Sequence, residues 1–419
     1  MPASKMEQAV HPRPPQTSFQ LVERFCQIIF VFAITFGSMF LMVTKISPGK
    51  WPLREPSISK PRLQLSPNRD YTIAIFSDLH FGEQEFGWGI DQDKNSTRVM
   101  RSVMKTEQPD LVVFNGDLIT GEDTHKENST SYIDQIVQPL VETNQKWASV
   151  YGNHDSKHTL DREALFHAEK GYDLCYTTCM QDKLPGITNY YVPVFEGDSK
   201  DPIALLWFFD SRGGTTYQTD SDNMDDIPNW VAPETAEWFT KTYTDLKEKH
   251  GRVIPSVAFV HIPPRVFLEA QQSNLDPAKF PGLNADSPLA VQGQGEEDLP
   301  FTEALLEAEG LHSIYVGHDH GDSWCSTWPG HDAGLGAEAP FLCFAKHTGY
   351  GGYGTWNRGA RMIKLSFTKG DNPEMLVESW VRMEDDAVIT RVSLNETYGL
   401  DTYPLNNGEP AGIANETHI

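Results

Sequence analysis

Five short apolar runs in this chain end abruptly in aspartate, asparagine or histidine. Thr72–Phe76 runs into Ser77-Asp78-Leu79-His80, Leu111–Phe114 into Asn115-Gly116-Asp117, and Trp147–Tyr151 into Gly152-Asn153-His154-Asp155. Val257–Val260 runs into His261, and Ser313–Val316 into Gly317-His318-Asp319-His320. Runs of this length and composition read as strands. Between them, Ile133, Ile136, Val137, Leu140 and Val141 fall at helical spacing, with Pro139 expected to kink or split the run. Pro233–Lys249 and Phe301–Glu309 are further helix candidates. Strands alternating with helices predict an α/β core, in which ligands gather beyond the carboxyl ends of the strands. The five polar endings can therefore converge in one crevice. In three of them a glycine precedes the polar residue, where the chain is expected to turn sharply off the strand.

Each ending alone carries little weight, since a strand-ending aspartate is usually a turn cap and a lone histidine is usually a core or surface residue. Five together, each at the end of a strand, are hard to reach by chance. Ala204–Phe209 adds a strand, Arg62–Leu65 an edge strand, and Phe341–Phe344, Arg361–Phe367 and Met375–Arg382 follow one another without a helix. Part of a sheet is therefore expected to be antiparallel. With 39% hydrophobic and 22% charged residues in 419, a packed core is within reach. Lys and Arg total 34 against 58 Asp and Glu, a net charge of −24 that repels a nucleic-acid backbone. No nucleic acid is expected as a partner.

Residues 25–44 form an uncharged apolar stretch between Arg24 and Lys45, long enough to span a bilayer as a helix. It is read as a signal-anchor rather than a cleaved signal peptide, because it exceeds a usual signal core and no small-residue cleavage site follows. Residues 1–24 read as a disordered tail, 45–61 as a proline-rich stalk, 62–399 as the folded domain and 400–419 as a disordered tail. The flanking charges alone, three before the anchor and five after it, would place the domain in the cytosol. Sequons at Asn95, Asn128, Asn395 and Asn415, and the even set Cys175, Cys179, Cys325 and Cys343, argue for the secretory lumen or the exterior. A bridge between Cys325 and Cys343 would lock the loop carrying His318 and His320. Cys175 and Cys179 lie awkwardly close for a local bridge.

The order D-x-H, G-D, G-N-H-D, H, G-H-x-H resembles the calcineurin-like metallophosphoesterase superfamily, over roughly Arg62 to Arg382. The spacing and the stretch Gly349-Tyr350-Gly351-Gly352-Tyr353-Gly354 look most like its purple-acid-phosphatase-related branch of fungi and plants. The resemblance implies a four-layer α/β/β/α sandwich with two mixed sheets. It implies two metal ions: Asp78, His80 and His320 would hold the first, Asn153, His261 and His318 the second, and Asp117 would bridge them. Imidazole with carboxylate suits manganese, zinc or iron. The implied activity is hydrolysis of phosphate monoesters by in-line attack of a metal-bridging hydroxide, with His154 as general acid. A phosphodiesterase or nucleotide pyrophosphatase on the same metals, and a non-catalytic membrane-tethered binding protein, are the alternatives. Purple acid phosphatases carry a tyrosine three residues after the bridging aspartate. Thr120 stands there in this chain, so a ferric-tyrosinate centre is not expected.

Other features read as bland. The glycine-rich stretch 349–354 is followed by a strand rather than a helix, which argues against a dinucleotide fingerprint. Asp220, Asp222, Asp225 and Asp226 lack an EF-hand's glycine and glutamate. Arg265 to Pro300 is a long polar stretch that could be a rim, a lid or a plain surface loop. His347 and Arg212 are candidates for reaching substrate. Substrate identity and oligomeric state leave no mark in the sequence.

Overall fold

In the computed structural model, residues 60–405 are described, apart from 126–127, 157–161, 180–183, 216–224, 274, 332–338 and 371–372. The apolar run 25–44, the tail before it, the stalk up to residue 59, Asp220, Asp222, Asn415 and the chain from 406 onward lie outside the described residues. Among the described residues no helix is long and apolar enough to cross a membrane.

Strands β2 (Asp70–Phe76), β3 (Leu111–Asn115) and β4 (Trp147–Val150) run parallel in one sheet. Their residues alternate between two cores, as the period of two requires. Ile73, Ile75, Leu111, Val113, Ala148 and Val150 turn to one side. Ala74, Phe76, Val112, Phe114 and Trp147 turn to the other, where they meet Val99, Met100, Ile133, Ile136 and Leu165. Those partners lie on helices α1 (Gly89–Glu107), α2 (Ser129–Glu142) and α3 (Arg162–Lys170). Burial on both faces explains why these strands are nearly continuous apolar runs. The sheet is completed by β11 (Gly359–Phe367), β12 (Met375–Met383) and β13 (Val388–Leu394), all antiparallel, in the order β13-β12-β11-β2-β3-β4.

The second sheet has seven strands in the order β1-β5-β6-β7-β8-β10-β9. Here β1 is Leu63–Gln64, β5 Tyr190–Phe195, β6 Pro202–Phe209, β7 Ser256–Val260, β8 Leu311–Val316, β9 Cys325–Ser326 and β10 Phe341–Phe344. Strands β6, β7, β8 and β10 are parallel, whereas β5 and β9 pair antiparallel with their neighbours β6 and β10. Helices α4 (Pro233–His250), α5 (Arg265–Gln272) and α6 (Leu299–Glu307) cover this sheet. Trp207 and Phe209 of β6 meet Phe239 of α4 and Phe301 of α6, with ring centroids 4.8 Å and 4.9 Å apart. Two mixed sheets with helices on their outer faces make the four-layer sandwich.

The structure adds detail to three sequence expectations. Pro139 does not split α2: the helix runs unbroken through it and ends three residues later, so the proline removes a single backbone bond. Thr143 Oγ1 then donates to Pro139 O (2.8 Å) and closes the end. The polar stretch after Arg265 begins with α5 and is tied down further on. Gln292, fully buried, donates from Nε2 to Ile262 O (2.8 Å) and accepts from Val231 N–H (2.9 Å). Beyond Gly399 the chain is still attached at Tyr403, whose N–H donates to Ala278 O (2.7 Å).

Candidate metal centre

The parallel strands of both sheets deliver their polar endings to one place. Two groups of side chains there could each hold a metal ion: Asp78, His80 and His320, and Asp117, His261 and His318. Within each group the ligand atoms lie within 4.8 Å of one another. Asp117 Oδ2 sits between the groups, 2.9 Å from His261 Nε2 and 3.8 Å from His80 Nε2. His80 Nε2 and His320 Nε2 are 3.2 Å apart.

The turns that make this convergence possible are unusual. Asp78, His80, Asp117 and His318 all have left-handed backbone, with φ of 56°, 49°, 50° and 76°. Side chains other than glycine rarely adopt that region outside functional sites. The glycines explain themselves in two ways. Gly116 turns through φ of 90°, as the sequence predicts. Gly152 and Gly317 do not need positive φ; they need room. A Cβ on Gly152 would lie 2.2 Å from Asp117 Oδ1, and one on Gly317 2.2 Å from Ser77 Oγ.

The ligand rings are oriented from behind. His261 Nδ1 is 2.8 Å from Asn115 O across the two sheets, and His320 Nδ1 is 2.8 Å from Tyr353 O. A carbonyl can only accept, so both rings donate from Nδ1 and turn Nε2 inward. His261 Nε2 has no aligned hydrogen-bond partner despite its closeness to Asp117, and Asn153 Oδ1 and His318 Nδ1 are likewise buried without one. Buried polar atoms are rarely left so, and a cation would satisfy all three. Burial, with His154 and His261 respectively in support, pulls His80 and His318 down to about 3, which leaves them neutral. Burial pushes the Asp78 carboxyl up to about 6 against the pull of His261. Burial lowers His261 too, but Asp117 outweighs it and the imidazole rises to about 9. The donor set and its orphaned atoms fit two transition-metal ions.

The family model for calcineurin-like phosphoesterases matches residues 71–322, well over half of the chain, including every ligand position above. The chain belongs to that family. "Probable inactive purple acid phosphatase 28" of Arabidopsis thaliana is 27% identical over 374 residues, covering 78% of this chain and 86% of the relative. Phosphatase DCR2 of Saccharomyces cerevisiae is 26% identical over 283 residues, 63% of this chain and 46% of its own length. Among solved structures, a dimetal phosphatase from Danio rerio matches 78% of this chain and 99% of its own, at 12% identity and a TM-score of 0.47.

Several residues of this phosphoesterase to which the sequence assigned no role also support the site. Glu122 Oε1 lies 2.7 Å from His154 Nδ1, while the His154 N–H donates to Asp117 Oδ1 (2.8 Å). The His154 ring stands edge-on to His80, centroids 4.9 Å apart. Asp155 accepts from the N–H groups of Gly152, Leu118 and Ile119 and so staples the turns after β3 and β4 together. Arg162 donates to Gly152 O (2.7 Å) and Gly213 O (3.0 Å) beneath Asn153. Arg358 Nη2 donates to Gly354 O (3.0 Å), and its guanidinium also binds Gly349 O and Trp356 O, clamping the glycine-rich stretch. An acidic residue five positions after Asp117 was the available hint for Glu122; Arg162 and Arg358 had none.

The two candidate substrate contacts are engaged by partners within the protein. Arg212 spends Nε and Nη2 on Trp230 O (2.9 and 2.8 Å). His347 is buried behind His320, ring centroids 3.8 Å apart, with Nε2 on Gly351 O. Cys325 and Cys343 pair as a disulfide across β9 and β10, while Cys175 is a buried thiol. Of the sequons, Asn395 is exposed, Asn95 lies half-buried on α1, and Asn128 uses its Oδ1 to accept the His125 N–H.

Proposed function

We propose that this chain is a binuclear metal-dependent phosphatase acting on phosphate monoesters. Asp78, His80 and His320 would hold one divalent ion and Asn153, His261 and His318 the other, with Asp117 shared between them. When bound, the ions supply an activated water and stabilise the charge of the phosphoryl oxygens. With Thr120 in place of a phenolate, manganese, zinc or ferrous iron suits the first position, and an uncoloured centre is expected.

One observation carries catalysis over mere binding: the His154–Glu122 pair. His154 belongs to neither ligand group, yet its backbone is tied to Asp117 and its Nδ1 to a carboxylate. Glu122 orients the ring and favours its protonated form, and the imidazolium would give its proton to the leaving oxygen from Nε2. A metal store would need no such group. The name of the Arabidopsis relative marks that protein as inactive; in this chain Asp78, His80, Asp117, Asn153, His154, His261, His318 and His320 are all present.

The test is a pair of substrates, p-nitrophenyl phosphate and bis-p-nitrophenyl phosphate, each with and without manganese. Turnover of the monoester is expected to dominate. Turnover of the diester alone would assign the site to a phosphodiesterase, and turnover of neither with two ions bound would make it a binding protein. The apolar run 25–44, with the sequons and the Cys325–Cys343 bridge, supports a tethered domain facing the secretory lumen or exterior. Protease protection in sealed microsomes checks that orientation.

A further inference from the structure

Thr120 occupies the position where a purple acid phosphatase would place a metal-binding phenolate, and its hydroxyl is not idle. Thr120 is 5% exposed, with Oγ1 3.0 Å from His80 Nδ1 and 3.1 Å from Glu83 Oε1. Glu83 Oε1 also receives the Gly352 N–H at 2.8 Å. A backbone N–H can only donate, so Oε1 is an acceptor, and the Thr120 hydroxyl proton points to it. A hydroxyl has one proton. With that proton committed to Glu83, Thr120 Oγ1 can only accept from His80, which must carry its proton on Nδ1. His80 Nε2 then presents a lone pair beside His320 Nε2.

The same carboxylate reaches the second ring of the group by another route. Gly352, held by Glu83, lies against both histidines: a Cβ there would be 2.4 Å from His320 Cε1 and 2.8 Å from His80 Cδ2. The next residue, Tyr353, accepts His320 Nδ1 at its carbonyl, donates its hydroxyl to Asp286 (2.7 Å), and accepts the His320 N–H there (3.0 Å). One side chain therefore sets His80 through Thr120 and His320 through the glycine-rich stretch.

We infer that Glu83 and Thr120 are positioning residues that fix the tautomer of His80 and the placement of His320, preparing the first metal position for a divalent ion without a phenolate. The inference rests on His80 being a metal ligand, as proposed above. Outer contacts of this kind orient ligand imidazoles and typically change metal affinity about 10–100-fold when removed.

Two measurements on the full chain separate the inference from that reading. The first is the histidine nitrogen spectrum of the metal-free protein, with His80 assigned by its loss in His80→Asn. Wild type is expected to show Nδ1–H. Thr120→Val is expected to lose that preference and Thr120→Ser to keep it. The second is zinc binding by dialysis. Wild type is expected to bind two ions, and Thr120→Val and Glu83→Ala to bind one of them about 10–100-fold more weakly with the other unchanged. Glu83→Gln, which keeps an acceptor at Oε1, should lose less. Nε2–H in wild-type His80, or two ions bound at full affinity by Thr120→Val, overturns the inference. Nδ1–H together with no zinc bound by wild type instead overturns the metal-centre reading and leaves the control of the His80 proton standing. Thr120→Ser guards against a fold effect, because it keeps the hydroxyl.

Discussion

His80 and His261 occupy corresponding places in the two halves of the centre, yet one is anchored by a threonine hydroxyl and the other by a main-chain carbonyl. His261 comes from the seven-stranded sheet and leans on Asn115 O of the six-stranded sheet, with Gly116 packed directly under its ring. Its support is the sandwich itself. His80 and His320 lean on Thr120, Glu83 and Tyr353, all on loops. Side chains can be exchanged one at a time, whereas main-chain atoms at a sheet junction cannot. The first metal position should therefore respond more to single side-chain exchanges, and the second more to changes in backbone packing.

The largest expected effect erases that contrast. Asp117 serves both halves, so Asp117→Asn should lose ions from each and lower kcat roughly 10³-fold or more, below the value for His80→Ala. Metal counting checks it: two ions retained by the Asp117 variant would remove the bridging role. Next comes a change that should leave both halves intact. His154→Ala is expected to keep two ions while kcat on phenyl phosphate falls about 10²–10⁴-fold. The loss on p-nitrophenyl phosphate should be smaller, because its leaving group needs less help from an acid. Equal losses on the two esters would reduce His154 to an electrostatic role.

A pair of alanines separates the halves. Gly152→Ala puts a methyl 2.2 Å from Asp117 Oδ1 and 2.6 Å from His261 Cδ2. Gly352→Ala puts one against His320 and His80 at a backbone φ of 70°. Each should destabilise by about 1–3 kcal/mol through overpacking. The first should weaken the Asp117–His261 side and, through the bridge, both ions; the second should weaken one ion alone. Equal loss from both variants would break the comparison. The smallest effect on activity is expected from replacing Cys325 and Cys343 by serine. The bridge closes a sequence separation of 18, so its removal should cost about 3 kcal/mol of stability, with kcat little changed. Thermal melting beside an activity assay reads both.

What could be read from the sequence was whatever stood out locally. A histidine or aspartate directly after an apolar run is conspicuous, and the fold needed only to gather those endings. Helix α1 was missed because its apolar residues Val99, Met100, Val103 and Met104 lie in its second half, while the first is almost wholly polar. Strand β5 was hidden by Pro193, tolerated because β1 pairs only with Val194 and Phe195 and leaves the proline's flank unpaired. Glu83 could not be seen at all. Its meaning lies in meeting Thr120, 37 residues on, and Gly352, 269 residues on, and no local pattern records such a meeting.

The left-handed backbone at Asp78, His80, Asp117 and His318 bears on how such a chain would drift if its chemistry were abandoned. Each residue held there costs about 1 kcal/mol relative to glycine, so about 4 kcal/mol for the four together, a sizeable share of a domain's stability of roughly 5–15 kcal/mol. Without catalysis to maintain, glycine or asparagine at any of these positions would be a gain, and random substitution would find it. This chain keeps two aspartates and two histidines at positive φ, where a glycine would carry less strain. An idle site of this design would be under steady pressure to soften, one position at a time, and the first sign of retirement would be a glycine in place of a ligand.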